Sequence, residues 1–479
     1  MSRTARLHRR DFLRLSGAGV LALAAARLAR AAKDSDKPNI VFILADDLGY
    51  GDLSCYGQTK FSTPNIDRLA AEGVKFTDHY SGSTVCAPSR CCLMTGKHTG
   101  HAFIRGNKEL RPEGQHPIPA DTVTIAKLLK KAGYATGMFG KWGLGGPGTE
   151  GDPVKQGFDE FFGYNCQRHA HSYYVKYLWH NTKKVPLDGK TYSADLIASK
   201  ARAFIRANKD KPFFCYIPTT VPHASLHVPE ESAAAFRKKF PQFEEKIGRY
   251  AGPTIKNPAA CFAGMVTRMD AEVGKILALL KELDLDRKTI VMFTSDNGPH
   301  LEGGHMPRFF NSNGPLKGHK RDLTEGGIRA PLLARWPGRI KPGRVSHHAS
   351  AFWDMMPTFC HLAGFECPEE TDGISMYPEL TGCCAQEAHE YLYWEYWQRG
   401  GIIALRKGDW KAIRFGAAKN PDAPLKLYNL KDDLGETTDV AAKHPKIVAE
   451  LGELMAKAHR PNAIWGPRGP KAPSPRKRA

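Results

Sequence analysis

Residues Asn39 to Asp47 read NIVFILADD: an unbroken apolar run that stops at two adjacent aspartates. Apolar residues without alternation are what a strand buried on both faces requires, and such strands belong to parallel sheets covered by helices. The flanking sequence repeats that logic. TPNIDRLAAEG reads as a capped helix and VKFTDHYS as a strand; TVTIAKLLKKAG and YATGMFGK are again helix and strand, as are ADLIASKARAFIRANK and PFFCYIPTT. A long amphipathic helix, ACFAGMVTRMDAEVGKILALLKEL, leads into KTIVMFTSDNG, another apolar strand with a polar end. The predicted fold is α/β, a large mixed but mostly parallel sheet sandwiched by helices. In such sheets functional groups collect beyond the carboxyl ends of strands, where ADD, GKW, PHAS and SDNG all fall.

After about Thr371 the texture changes to short aromatic strands (YLYWEYWQRGGIIALRKGDWKAIRF, PLKLYNLKDDLGE) and one helix, HPKIVAELGELMAKAH. This predicts a smaller C-terminal α+β subdomain with an antiparallel sheet. The division expected is an export signal at 1–32, a catalytic domain at 36–368, the antiparallel-sheet subdomain at 369–465 and a basic disordered tail at 466–479. The signal reading rests on Arg9 and Arg10 followed by DFL, a short apolar run and small residues at Ala29 to Ala32. The uncharged run from Leu15 to Ala26 falls short of the roughly 20 residues that span a bilayer. An exported protein, periplasmic or extracellular, with no transmembrane segment in the mature chain, is expected, with the twin-arginine export machinery as a partner.

The net charge of +20 invites a nucleic-acid reading until it is located. Residues 1–33 hold eight Lys/Arg against one Asp, residues 466–479 hold five more, and +8 remains on the body. That body suits an anionic substrate, and no nucleic-acid partner is expected.

Two oxygen-rich pairs stand at predicted strand ends, Asp46/Asp47 and Asp296/Asn297. Three carboxylates and an amide carbonyl without soft donors suit a hard divalent cation, although Asp and Asn also cap turns; finding both pairs at strand ends favours the metal. GLGGPG at Gly143 to Gly148 matches a dinucleotide fingerprint, but Pro147 and the polar continuation spoil the helix start it needs. Cys86, Cys91 and Cys92 crowd into CAPSRCCLMTG with no zinc spacing. Pro88 suits the first turn of a helix, which puts Cys86 at its positive end and leaves Cys91 and Cys92 as buried packing.

CAPSRCCLMTG resembles the signature of the type I, formylglycine-dependent sulfatases, arylsulfatase-like members of the alkaline-phosphatase-like superfamily, and NIVFILADDLGYGDLSCYG, GYATGMFGKWGLG, VPHASLHVP, SDNGP and GHKRDLTEGGIRAP fit the family in order. The resemblance implies that Cys86 is oxidised to formylglycine by a separate maturation enzyme, that the hydrated aldehyde attacks sulfur, and that the sulfated intermediate then expels sulfate by reforming the aldehyde. It implies Ca²⁺, ahead of Mg²⁺, held by Asp46, Asp47, Asp296, Asn297 and the residue at Cys86. It implies Arg90 supporting the nucleophile, Lys141 and Lys320 clamping sulfate, and His223 binding sulfate and protonating the departing alcohol. One departure stands out: Gly143 occupies a position where the family often has a histidine, for which His98 or His101 are the substitutes in view.

His169 and His171 in QRHAHSYY, and His305, Arg308 and Asn311 in EGGHMPRFFNSNG, are the expected substrate-binding residues, with Tyr393 to Trp397 closing the pocket. The expected function is removal of sulfate from a sulfated substrate, favouring a carbohydrate. The rival readings are a phosphodiesterase or phosphonate monoester hydrolase of the same superfamily and a non-catalytic binder of sulfated glycans.

Overall fold

The structure, a computed structural model, describes residues 37–466. The expected export signal and all but the first residue of the basic tail lie outside the described residues. The first strand, β1 (Asn39–Ala45), is buried along its whole length. Its side chains alternate between two cores, Ile40, Phe42 and Leu44 joining one and Val41, Ile43 and Ala45 the other. This is what period-two geometry imposes on a strand with a helical layer on each face. Each fully buried large apolar side chain contributes about 1.5–3 kcal/mol.

The main sheet continues with β2 (Val74–Phe76), β3 (Ala135–Lys141), β4 (Glu160–Tyr164), β5 (Tyr177–His180), β6 (Lys183–Pro186), β7 (Phe213–Pro218), β8 (Thr289–Ser295), β9 (Leu332–Arg335) and β10 (Arg344–Ser346). Its ten strands run in the order β10-β2-β9-β8-β1-β7-β3-β4-β5-β6. The central β8, β1, β7, β3 and β4 are mutually parallel. A β5–β6 hairpin extends one edge antiparallel, and β9 turns the direction at the other. One face is covered by α2 (Cys86–Thr95), α3 (Ile125–Lys131) and α6 (Met355–Leu362). The opposite face packs against α1 (Pro64–Ala71), α4 (Ser193–Ala207) and the 25-residue α5 (Pro258–Glu282). The predicted elements are all present; the sequence reading did not single out β4, β5, β6, β9 and β10, which are short or carry charged residues.

Beyond the main sheet, β11 (Leu392–Tyr396), β12 (Ile402–Lys407), β13 (Trp410–Phe415) and β14 (Leu425–Asn429) form a separate antiparallel meander. The last helix, α7 (Pro445–Ala458), seals it through Leu451, Met455 and Ala458. Among the described residues no helix is long and apolar enough to cross a membrane.

Four neighbouring strands of the main sheet, β8, β1, β7 and β3, end on the same side. Their ends or the turns that follow carry Asp296/Asn297, Asp46/Asp47, His223 and Lys141 respectively. Residues as much as 250 positions apart thereby share one site.

Candidate active site

Cys86 is the first residue of α2 and is buried. Its Sγ lies 3.5 Å from Asp46 Oδ1 and 3.4 Å from Lys141 Nζ. Burial pushes the Cys86 thiol up to about 12, against the pull of Lys141 and Lys320, so an unmodified Cys86 is a thiol rather than a thiolate. Cys91 and Cys92 lie deeper in the same helix, packed into the core as expected.

Around Cys86 the charges are matched in pairs. Lys141 Nζ meets Asp46 Oδ2 at 2.6 Å, and Lys320 Nζ meets Asp47 Oδ2 at 2.6 Å. Arg90 places its Nε and a terminal nitrogen 3.0 and 2.8 Å from Asp296 Oδ2, and a second terminal nitrogen donates to the Lys141 carbonyl. Three carboxylates and three cations, all buried, leave the cluster formally neutral, which is the condition for keeping such groups out of water. Burial works against the Asp47 carboxylate, but Lys320, His300 and Lys141 outweigh it and hold Asp47 below its ordinary value. Burial and the neighbouring Asp46 carboxylate instead raise Asp296 to about 6.

The donor chemistry fits a hard cation. Asp46, Asp47, Cys86 and His223 offer ligand atoms that all lie within 4.8 Å of one another. Asp47 is held at φ +63°, with its N–H donated to Asp296 Oδ1 at 3.0 Å. Asn297 donates its amide nitrogen to Asp47 Oδ1 at 2.7 Å, yet its Oδ1 is buried with no protein partner. A buried carbonyl oxygen left over among carboxylates is a ready ligand for Ca²⁺ or Mg²⁺.

His223 Nε2 accepts from Lys320 Nζ at 3.0 Å, and its Nδ1 donates to the Ala224 carbonyl, which fixes the tautomer. Burial, then Lys320 and Lys141, holds its imidazole well below the ordinary histidine value. The ring stacks with His171 at 4.8 Å and with His300 at 5.7 Å. His300 was missed in the sequence reading, although it follows the predicted ligand Asn297 by three residues.

The structure separates the predicted substrate residues. Of them, His171 packs directly on the cluster through His223. His169 instead packs at a tilt against Tyr177 at 4.4 Å and lines a cleft of about 520 Å³ with Arg111, Trp179 and Lys184. His305, Arg308 and Asn311 line another groove of about 890 Å³, and His305 lies buried against Phe262 with both ring nitrogens unpartnered. In the Tyr393–Trp397 segment, Tyr393, Trp394 and Glu395 are core, Trp394 donating to the Ser81 carbonyl at 3.0 Å. Tyr396 is buried as well, and burial raises its hydroxyl against the pull of Arg321, Arg399 and Lys320.

His98 and His101 do not stand in for a side chain at Gly143. They follow the C-terminus of α2, whose ten residues separate them from Cys86 by about 15 Å at 1.5 Å per residue. His101 Nδ1 pairs with Asp372 Oδ1 at 2.7 Å, and the two rings stack at 4.2 Å. His98 Nδ1 accepts from the Gly100 N–H at 3.1 Å, so its proton sits on Nε2 and that cluster is a poor metal site. Gly143 itself has φ +87°, and a Cβ there would fall 2.4 Å from Gln167 Nε2. Gln167 was also missed, although it opens the QRHAHSYY stretch from which only the histidines were taken.

The family model described as Sulfatase matches residues 38–365, and that described as N-sulphoglucosamine sulphohydrolase, C-terminal, matches residues 318–460. An N-acetylgalactosamine-6-O-sulfatase of Bacteroides thetaiotaomicron is 31% identical over 88% of this chain and 93% of its own. Arylsulfatase A of Homo sapiens is 33% identical over 90% of each. Among solved structures, Ps i-CgsB in complex with k-i-k-neocarrahexaose is similar at a TM-score of 0.75 and 31% identity, covering 88% of this chain and 92% of that one. The phosphonate monoester hydrolase of Agrobacterium radiobacter, at 21% identity and a TM-score of 0.62 over 88% and 95% of the two chains, shares the fold. The match over residues 38–365, together with relatives above 30% identity along most of their length, establishes that the chain belongs to the sulfatase family of enzymes, which hydrolyse sulfate esters.

Proposed function

We propose that this sulfatase is exported and removes sulfate from a sulfated carbohydrate, using Cys86 matured to formylglycine and a Ca²⁺ ion held by Asp46, Asp47, Asp296, Asn297 and the residue at Cys86. The observation that carries the reading is the position of Cys86, at the N-terminus of a buried helix and within 3.5 Å of both Asp46 and Lys141. A thiol raised to about 12 is a poor nucleophile, which agrees with a residue built to be converted. The carbohydrate preference draws on relatives named for N-acetylgalactosamine-6-sulfate and on the complex with k-i-k-neocarrahexaose. Export, periplasmic or extracellular location and a separate maturation enzyme complete the proposal, with residues 36–368 read as the catalytic domain and 369–465 as the C-terminal subdomain.

The hydrated formylglycine would supply the nucleophilic oxygen, and a cation held by Asp46, Asp47, Asp296 and Asn297 would supply a Lewis acid that draws charge from it and from the sulfate oxygens. The protein supplies the rest. Arg90, locked on Asp296 and on the Lys141 carbonyl, fixes the floor beneath residue 86. Lys141 and Lys320 are held on the adjacent carboxylates of Asp46 and Asp47, from which their ammonium groups can turn to a bound sulfate. His223 Nε2 accepts from Lys320 Nζ, so the proton it passes to the departing alcohol oxygen is one it first takes up from that ammonium.

Mass spectrometry of the Cys86 peptide, from protein made with a maturation enzyme, should show an aldehyde in place of the thiol. That protein should hydrolyse a sulfate monoester faster than a phosphate diester; the reverse order would move the assignment to the phosphodiesterase branch. Chelation should lower turnover by about a hundredfold or more, because a Lewis acid contributes several kcal/mol, and Ca²⁺ should restore it.

A further inference from the structure

The turn after β3 brings a second kind of group to the site. Trp142 and Gly143 donate their N–H groups to the carbonyls of Tyr164 and Asn165 at 2.9 and 3.2 Å, so the chain beyond Lys141 runs beside the chain beyond β4. This pairing sets Gln167 against Gly143, where a Cβ would strike its Nε2. Gln167 is only 6% exposed, and neither atom of its amide has a protein hydrogen-bond partner. Asn165, 1% exposed, has both amide atoms unpartnered as well. Buried amides without partners lose their hydration for no return unless a ligand satisfies them.

The neighbouring segments carry groups of the candidate site. On one flank, Lys141 lies two residues before Gly143 and reaches Cys86 Sγ at 3.4 Å. On the other, His171 lies four residues after Gln167 and stacks on His223. Gln167 thus stands in the chain between two contacts with the candidate site, Gly143 beyond Lys141 on one side and His171 on the other.

We propose that Gln167 fills with its amide the place a side chain at position 143 would take, and donates from Nε2 to an oxygen of the substrate's sulfate group. The inference rests on the sulfatase reading and goes beyond it by naming a contact residue. An amide does not titrate near neutral pH, so Gln167 binds and orients and does not serve as acid or base. Glycine at 143 is then a requirement, because any Cβ there, at φ +87°, displaces Gln167.

The test compares matured wild type with Gln167→Met and Gln167→Glu, reading kcat/KM on a sulfate monoester, the affinity of the Ca²⁺-loaded protein for inorganic sulfate by calorimetry, and Tm. Loss of a hydrogen bond to a charged group should cost Gln167→Met about tenfold to a hundredfold in kcat/KM and in sulfate affinity. Its Tm should hold or rise, since an unpartnered buried amide has gone, and the shape of the pH profile should not change. Gln167→Glu keeps the size and adds a carboxylate facing the anion, so it should bind sulfate more weakly than the methionine variant. A Gln167→Met protein with wild-type turnover and sulfate affinity overturns the inference, as does one whose activity falls only in step with a lowered Tm. If matured wild type hydrolyses no sulfate ester, the functional reading fails and this inference with it.

Discussion

Changing Cys86 to alanine should lower sulfate ester turnover by about 10⁴-fold to 10⁶-fold, the scale on which an enzyme loses a covalent nucleophile, if residue 86 is the proposed one. The variant should stay folded, for a structural reason. Cys86 Sγ contributes only a 3.5 Å contact to Asp46 and a 3.4 Å contact to Lys141, while Lys141 holds Asp46 directly at 2.6 Å and Arg90 holds Asp296 at 2.8 Å. Alanine leaves those ion pairs intact and removes one sulfur from the first turn of α2. The measurement is kcat/KM on a sulfate monoester beside a thermal melt. Activity within tenfold of wild type, at unchanged Tm, would place the nucleophile elsewhere. Lysine substitutions behave differently: Lys141→Ala strips Asp46 of its closest cation, so part of its lost activity comes from a disturbed cluster and not from a missing sulfate contact.

The main architecture was legible because its signals are local. NIVFILADD declares a doubly buried strand in nine residues, and the helices announce themselves by period. The two oxygen-rich pairs proposed to hold the cation were legible for the same reason, each pair being contiguous and each standing at a strand end. What the sequence could not display is adjacency created by the order of β8, β1, β7 and β3. His300 matters because its ring meets a histidine that follows β7, and Gln167 because β4 runs beside β3. Neither contact leaves a periodicity or spacing to read. Proximity in sequence misled in the case of His98 and His101, close to Cys86 along the chain but beyond the far end of a rigid helix. The predicted substrate residues scattered over separate clefts because loop texture reports polarity and not direction.

The second large effect lies away from the chemistry, where the C-terminal meander supports the site. Lys411 on β13 is fully buried and places Nζ 2.8 Å from Glu325 Oε1 and 3.1 Å from Glu436 Oε1. Glu325 also accepts from Tyr80 at 2.6 Å and pairs with Arg329 at 3.0 Å, while Glu436 accepts the Glu325 N–H at 2.7 Å. The short helix that Glu325 opens bears on the Asp296/Asn297 pair, since the Gly327 carbonyl accepts the N–H of Gly298, next to Asn297. Lys411→Met therefore removes the shared cation from two buried carboxylates and should cost about 3–5 kcal/mol in urea unfolding near pH 7.5. Glu325 keeps its arginine, so Glu436 is the group stranded. Burial already holds the Glu436 carboxyl above its ordinary 4.5, and loss of Lys411 raises it further. A carboxyl whose folded-state pKa lies above the unfolded one favours folding at low pH and loses that contribution as pH rises through the folded value. The deficit of Lys411→Met should accordingly be smaller at pH 5 than at pH 7.5, and adding Glu436→Gln should recover much of it, because a neutral amide no longer needs the cation. A deficit independent of pH, or a double variant no better than the single one, would mean that Lys411 acts through packing of its stem and not through charge.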